Sequence, residues 1–273
     1  RLEEAKIADA KRDAETLLLY LEKADRTFLY VHRNDATDEY RADAYFGLID
    51  RRAAGEPLQY ILGSQEFMGL EFYVNQHVLI PRQDTEILVE EALKYLKPGM
   101  RVLDLCTGSG CILLSLLHFC PEAEGTGADL SRGALETAGR NCERLGIQAE
   151  LVQGDLFENI EGTFDLIVSN PPYIRRAEIQ ELMEEVRCRE PYMALDGHED
   201  GLYFYRRIAE EAPRYLKPGG LLCLEIGFDQ AESVSGLLRD RGFDEIETVR
   251  DLAGLDRVVR GRRGPGGTEE KEN

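Results

Sequence analysis

The chain has 273 residues, 43% of them hydrophobic, enough for one large domain or for one domain with a smaller second one. Its formal net charge of -19 disfavours non-specific binding to nucleic acid phosphates. The acidity suits a soluble protein that meets basic partners, and it serves solubility equally well on its own. The longest apolar stretch, Cys111 to Cys120, is too short to span a bilayer, and no secretory leader is visible, so no membrane association is expected.

Residues 1–62 read as helices: Leu17, Leu18, Leu21, Phe28 and Leu29 recur near helical spacing, as do Tyr45, Leu48 and Ile49. Gly55-Glu56-Pro57 interrupts this pattern. Residues 63–80 read as a connection, with a hairpin predicted around Gly69 in the alternating stretch Glu66 to Val74. From residue 81 to 262, strands alternate with helices. Strands are predicted at 102–105, 124–129, 150–152, 164–169, 221–226, 245–249 and 257–260, and helices at 112–119, 132–145 and 229–240. This alternation predicts an α/β domain with a mainly parallel sheet covered on both faces, whose ligands bind at the carboxyl ends of the strands. Residues 263–273, rich in glycine and charge, read as a disordered tail.

The six cysteines form no C-x-x-C pair and mostly lie in apolar segments, which predicts free thiols in a reducing cytoplasm. The four histidines have no ligand spacing, and no metal site is expected.

The segment Asp104-Leu105-Cys106-Thr107-Gly108-Ser109-Gly110 ends the first strand of the α/β region and opens a helix. Its glycines let a ligand approach the backbone closely. A nicotinamide fingerprint wants a third glycine where Leu113 stands, so the segment is closer to the first motif of class I methyltransferases. The next strand ends in Asp129, a carboxylate suited to ribose hydroxyls; a helix-capping role for Asp129 or Ser131 is the simpler reading. Asp155 and Leu156 follow the third strand, the acid facing an adenine amino group and Leu156 or Phe157 the ring. Three acids closing three successive strands are a stronger signal than any one of them.

The fourth strand ends in Asn170-Pro171-Pro172-Tyr173. Neither proline has an N–H, so the strand ladder stops and carbonyl oxygens are left for a ligand. Asn170 adds a side-chain acceptor, and Tyr173 a flat apolar face. An amide or nucleobase NH2 is planar and a poor nucleophile, because its lone pair is delocalised. Two acceptors, Asn170 Oδ1 and the Pro171 carbonyl, can hold its two hydrogens and aim the nitrogen at an electrophilic methyl.

The tetrapeptide is shared by amino methyltransferases acting on glutamine amides, adenine N6 and cytosine N4. Further segments narrow the resemblance: Gly55 to Gly63 with Glu66-Phe67, Leu79 to Glu86, Glu190-Pro191, Ala194-Leu195, Gly197, and Arg250 to Gly254. Together they resemble the PrmC/HemK family, the peptide chain release factor N5-glutamine methyltransferases, from the first helices to about residue 262. The resemblance implies a class I, Rossmann-like methyltransferase sheet and a small helical domain that engages the substrate protein, joined by a β-hairpin. It implies methyl transfer from S-adenosylmethionine to the glutamine of the Gly-Gly-Gln motif in class I release factors, with no direct nucleic acid partner. Carried over by position, Cys106, Thr107, Gly108, Ser109, Gly110, Asp129 and Leu156 line the cofactor. Asn170 touches cofactor and glutamine, and Pro171, Pro172 and Tyr173 complete the glutamine pocket. Three positions depart from the family pattern. Cys106 replaces a frequent glycine, so its side chain is expected to turn away from the cofactor. Gln83 replaces a frequent proline, and Leu156 an occasional aromatic. Two alternatives share the chemistry. One is glutamine methylation of a ribosomal protein. The other is adenine methylation in DNA, which wants a basic face that this chain lacks.

Overall fold

The computed structural model describes residues 1–264. Four helices open the chain: α1 (Ala10–Glu22), α2 (Arg26–Val31), α3 (Glu39–Ala53) and α4 (Leu58–Leu62). Two of them start on aspartate caps: Asp25 accepts the Thr27 N–H at 2.8 Å and Asp38 the Arg41 N–H at 2.8 Å. The helices close over a small core of their own, centred on Leu2, Ala10, Leu17, Ile49 and Ile61. One ion pair is buried beside it. Arg52 Nε on α3 donates to Asp13 Oδ2 on α1 at 2.7 Å, and Arg52 Nη1 to the Glu56 carbonyl at 2.9 Å.

A two-residue turn, Met68 (φ 53°) and Gly69 (φ 72°), joins β1 (Ser64–Phe67) to β2 (Leu70–Tyr73) as an antiparallel hairpin. Its inward residues, Phe67 and Phe72, are fully buried and join the hydrophobic cluster of the α/β region, so the hairpin is anchored there.

The α/β region then runs α5 (Glu86–Leu93), β3 (Arg101–Leu105), α6 (Cys111–Phe119), β4 (Glu124–Asp129), α7 (Arg132–Leu145), β5 (Glu150–Gln153), β6 (Phe164–Ser169), α8 (Glu184–Arg189), α9 (Tyr203–Tyr215), β7 (Leu216–Glu225), α10 (Ala231–Asp240), β8 (Phe243–Arg250) and β9 (Asp256–Arg263). The seven strands lie in the order β5-β4-β3-β6-β7-β9-β8. The first five are parallel, and β9 is antiparallel to both its neighbours. Alternate residues serve two cores, one on each face: Leu103, Leu105, Leu222 and Leu224 join one, and Val102, Leu221 and Cys223 the other. The chain runs outward from β3 to β5 and returns at β6. The carboxyl ends of β3 and β6 therefore flank the point where strand order reverses, which is where such sheets bind ligands.

The expected elements appear, with three differences. Helices α5, α8 and α9 were not singled out by periodicity. Strand β7 starts at Leu216 rather than 221, because one pairing at Leu216 precedes the Lys217-Pro218-Gly219-Gly220 irregularity, after which the ladder resumes at Leu221. Strand β9 extends through Arg263, which pairs with Phe243, so the expected tail begins later. Its remainder, 265–273, lies outside the described residues. No helix among the described residues is long and apolar enough to cross a membrane.

Breaking the buried pair tests the helical core. Arg52→Met leaves Asp13 buried without its cation and is expected to cost about 3 kcal/mol, with most of that recovered in Arg52→Met/Asp13→Leu. Equilibrium urea denaturation of the two variants checks this.

Candidate active site

A cavity opens at the carboxyl ends of β3, β4, β5 and β6. Its floor is the loop between β3 and α6. Asp104, fully buried in β3, accepts the Thr107 hydroxyl at 2.6 Å, and the Thr107 N–H donates to the Ala128 carbonyl at 3.0 Å. Burial pushes the Asp104 carboxyl up to about 7, against the pull of the Thr107 hydroxyl. The loop's two glycines do different work. A Cβ on Gly108 (φ 57°) meets no protein atom nearer than the Cys106 carbonyl at 4.0 Å, so the space before it is free for a ligand. A Cβ on Gly110 (φ 79°) comes to 3.2 Å from Leu114 Cδ1 and 3.3 Å from Ala138 Cβ, so that glycine serves the packing of α6 on α7.

Cys106 has φ 58°, a left-handed conformation that glycine adopts without strain. Its side chain packs against the larger core and faces Ser169, although the residue also lines the cavity. Burial raises the thiol pKa, so the group is held neutral. Asn141 of α7, fully buried, ties the loop to the hairpin: its Nδ2 donates to the Ser109 carbonyl at 2.9 Å and its Oδ1 accepts the Tyr73 N–H at 2.7 Å.

Asp129, at the end of β4, fills two roles at once. Its Oδ2 accepts the Gly108 N–H at 2.9 Å and its Oδ1 the Ser131 N–H at 2.8 Å, while Ser131 caps α7. Each oxygen keeps a further lone pair beside the cavity. Leu156 (φ 58°) is buried and lines the wall. Asp155, expected to face an adenine amino group, lines the cavity, and its carboxylate pairs with Arg207 of α9, whose Nη1 lies 2.9 and 3.0 Å from its two oxygens.

The opposite end of the cavity is built by the loop after β6. Asn170 and Pro172 line it; Pro171, Tyr173 and Gly110 do not. Asn170 Nδ2 donates to Thr85 Oγ1 at 3.3 Å. Among the described residues no hydrogen bond takes Asn170 Oδ1 or the Pro171 carbonyl. Tyr173 is held from behind. Its hydroxyl donates to Glu225 Oε1 at 3.4 Å, and its carbonyl accepts Gln230 Nε2 at 3.0 Å. Gly197 and Gly201 lie so close that a Cβ on either comes within 2.8 Å of the Tyr173 backbone. Gln230 is buried with its amide fully engaged, Oε1 accepting the Gly227 N–H at 2.9 Å and Nε2 also reaching the Gly201 carbonyl at 3.3 Å.

The stretch from Ile174 to Gly201 folds over the cavity. Pro191, Met193 and Ala194 form part of its wall. Buried Glu190 accepts the Ile80 N–H at 3.1 Å and binds Arg82, which fastens this wall to the 79–86 segment. Sequence reasoning named Thr85 and Glu190 only as parts of signatures, and it assigned nothing to Asn141, Arg207, Glu225 or Gln230. A buried carboxylate at the end of an apolar strand, as in Leu224-Glu225, was the one available signal for Glu225.

Residues 1–63 match the family described as PrmC N-terminal domain, and residues 83–188 match the methyltransferase small domain. The chain is 48% identical over 264 residues to the release factor glutamine methyltransferase of Geobacter sulfurreducens, an alignment covering 96% of this chain and 93% of that one. It is 45% identical over 259 residues to the protein of the same name from Clostridium acetobutylicum, covering 92% and 91%. In fold it resembles a methyltransferase from Pyrococcus furiosus, with a TM-score of 0.57 at 19% identity over 82% of this chain and 99% of that one. The chain belongs to the release factor glutamine methyltransferase family.

Proposed function

We propose that the protein transfers a methyl group from S-adenosylmethionine to the side-chain amide nitrogen of the glutamine in the Gly-Gly-Gln motif of class I release factors. The observation that carries this reading is the unspent acceptor Asn170 Oδ1, which lines the cavity floored by the glycine loop, with the unspent Pro171 carbonyl next to it in the chain. The residues present suit the cofactor: Gly108 leaves room for it, Asp129 keeps lone pairs for ribose hydroxyls, and Leu156 offers an apolar surface to the adenine. Cys106, Thr107, Ser109 and Gly110 hold the loop in shape around it. When bound, S-adenosylmethionine supplies an electrophilic methyl group on a sulfonium.

The protein's own part is positioning and electrostatics. Asn170 Oδ1 and the Pro171 carbonyl each accept one hydrogen of the substrate NH2, which fixes the plane of the amide and the direction of its nitrogen. As positive charge develops on that nitrogen, the two oxygens are already oriented toward its hydrogens. No strong base is required beforehand, since a proton leaves the nitrogen after transfer. Pro172 and Tyr173 keep the loop extended, and Gln230 and the close-packed Gly197 and Gly201 keep it from shifting. Residues 1–62 serve in this reading as the domain that grips the release factor, 63–80 as the linker and 81–262 as the methyltransferase domain. The six free cysteines suit a reducing cytoplasm.

Incubation with labelled S-adenosylmethionine and a class I release factor, intact or with its Gly-Gly-Gln glutamine changed to alanine, tests the substrate. Only the intact factor is expected to take label; equal labelling of both sinks the reading, and labelling of a ribosomal protein alone replaces it. Asn170→Ala is expected to lower turnover at least about 100-fold, as loss of an oriented hydrogen-bonding group at a reacting centre does, with cofactor affinity little changed. Asp129→Asn removes one of the acceptors serving the loop and the ribose. It is expected to weaken cofactor binding about tenfold by calorimetry, with the circular dichroism spectrum unchanged.

A further inference from the structure

An asparagine amide can turn half a circle about its last bond, exchanging its oxygen and nitrogen. Only one of the two arrangements offers an acceptor to a substrate NH2; the other sets donor against donor. Asn170 is held in the useful one because its Nδ2 donates to Thr85 Oγ1 at 3.3 Å. That bond alone does not decide the matter. A threonine hydroxyl both donates and accepts, and a Thr85 hydroxyl free to donate toward Asn170 favours the reversed amide.

Glu225, the last residue of β7, is 2% exposed. Its Oε1 accepts the Tyr173 hydroxyl at 3.4 Å. Its Oε2 is buried without a partner in good hydrogen-bond geometry, and the Thr85 hydroxyl is a neighbouring donor that favours the carboxylate form. An ionised carboxylate accepts only, so it draws the hydroxyl hydrogens of both Thr85 and Tyr173 toward itself. Thr85 then presents a lone pair to Asn170 Nδ2, and Asn170 Oδ1 is left for the substrate.

We propose that Glu225, acting through Thr85, sets which end of the Asn170 amide faces the substrate nitrogen. Both are positioning residues, and neither touches the reacting atoms. The proposal rests on the placement of Asn170 as an acceptor for the glutamine amide.

The charge state of Glu225 follows from its surroundings. Burial pushes its carboxyl up to about 7, against the pull of Thr85, Arg257 and Tyr173, while Asp84 pushes in the same direction as burial. Arg257 of β9 is shared, lying 3.0 Å from Asp251 Oδ2 and 3.3 Å from Asp84 Oδ2. Tyr205 of α9 and Cys111 of α6 also face Glu225. Both are held neutral by burial and do not change charge near neutrality. Once protonated, Glu225 can donate to Thr85 and free that hydroxyl to donate toward Asn170. Turnover therefore falls as pH drops through about 7.

Steady-state methylation of a release factor by Thr85→Val, Thr85→Ser and Glu225→Gln tests this, with cofactor affinity measured by calorimetry on the same samples. Thr85→Val is expected to lose at least about tenfold in kcat, while Thr85→Ser stays within about threefold of the parent, because only the serine restores the hydroxyl. Glu225→Gln is expected to lose kcat and the acid limb of the kcat–pH profile together. Unchanged turnover in Thr85→Val overturns the proposal, as does an acid limb that survives Glu225→Gln. If Glu225→Gln does not fold, the Thr85 pair alone decides. Asn170→Ala separates the two levels. Full activity there refutes the site itself, whereas activity lost there and kept in Thr85→Val refutes only the orientation by Glu225.

Discussion

Two consecutive prolines after β6 are the constraint on which the site is built. A strand in the middle of a parallel sheet normally spends its backbone groups on its neighbours. Pro171 and Pro172 have no N–H to spend, so the ladder ends at Ser169 and the chain leaves the sheet extended. Carbonyls left over in this way are costly if buried without a partner. They become useful where a substrate amide brings the missing donors. The surrounding structure holds the loop in that condition: Gln230 takes the Tyr173 carbonyl, and Gly197 and Gly201 admit the backbone where a side chain would displace it.

Carboxylates do most of the remaining organisation, Asp104 and Glu225 buried and Asp129 half-buried. Asp104 holds Thr107, and Asp129 holds the Gly108 and Ser131 amides. Glu225 accepts the Tyr173 hydroxyl. Each is an acceptor in a region short of water, and so each dictates the direction of a neighbouring donor. Burial opposes ionisation at all three, which puts Asp104 and Glu225 at about 7 rather than in the usual carboxylate range. Donors are oriented here at a cost in solvation, an arrangement expected where geometry matters more than stability.

The helical residues at the start of the chain are joined to the site by more than the hairpin. Arg52 of α3 reaches Glu185 of α8 at 2.6 Å while holding Asp13, and Arg189 donates to the Ala54 carbonyl. From α8 the chain passes through Glu190, fixed to Ile80 and Arg82, into Pro191 and Met193 of the cavity wall. The helices are thus mechanically connected to the wall beside the acceptor loop. The connection runs through these charged groups and through Tyr60 of α4, which packs against Val74, Val78 and, on α7, Ala134, and donates its hydroxyl to the Val78 carbonyl at 2.6 Å.

The amino-acid sequence by itself determined the strand-and-helix order, the hairpin at Gly69, the glycine loop and the acceptor tetrapeptide. Each of these depends on residues within a few positions of one another: a period, a pair of prolines, a glycine spacing. Only the tertiary structure decided how the acceptor is aimed. Thr85 and Asn170 are 85 positions apart and Tyr173 and Gln230 are 57 apart, so no local pattern records their contacts. The same holds for Asp155, to which the fold brings Arg207 from 52 positions away. Gly108 and Gly110, alike in sequence, proved to face open space and a packed helix respectively, because the direction of a missing Cβ is set by what the fold places in front of it. Asn170-Pro171-Pro172-Tyr173 is legible in four letters, and the buried network behind it, assembled from distant strands and helices, decides which of its atoms are left without a partner.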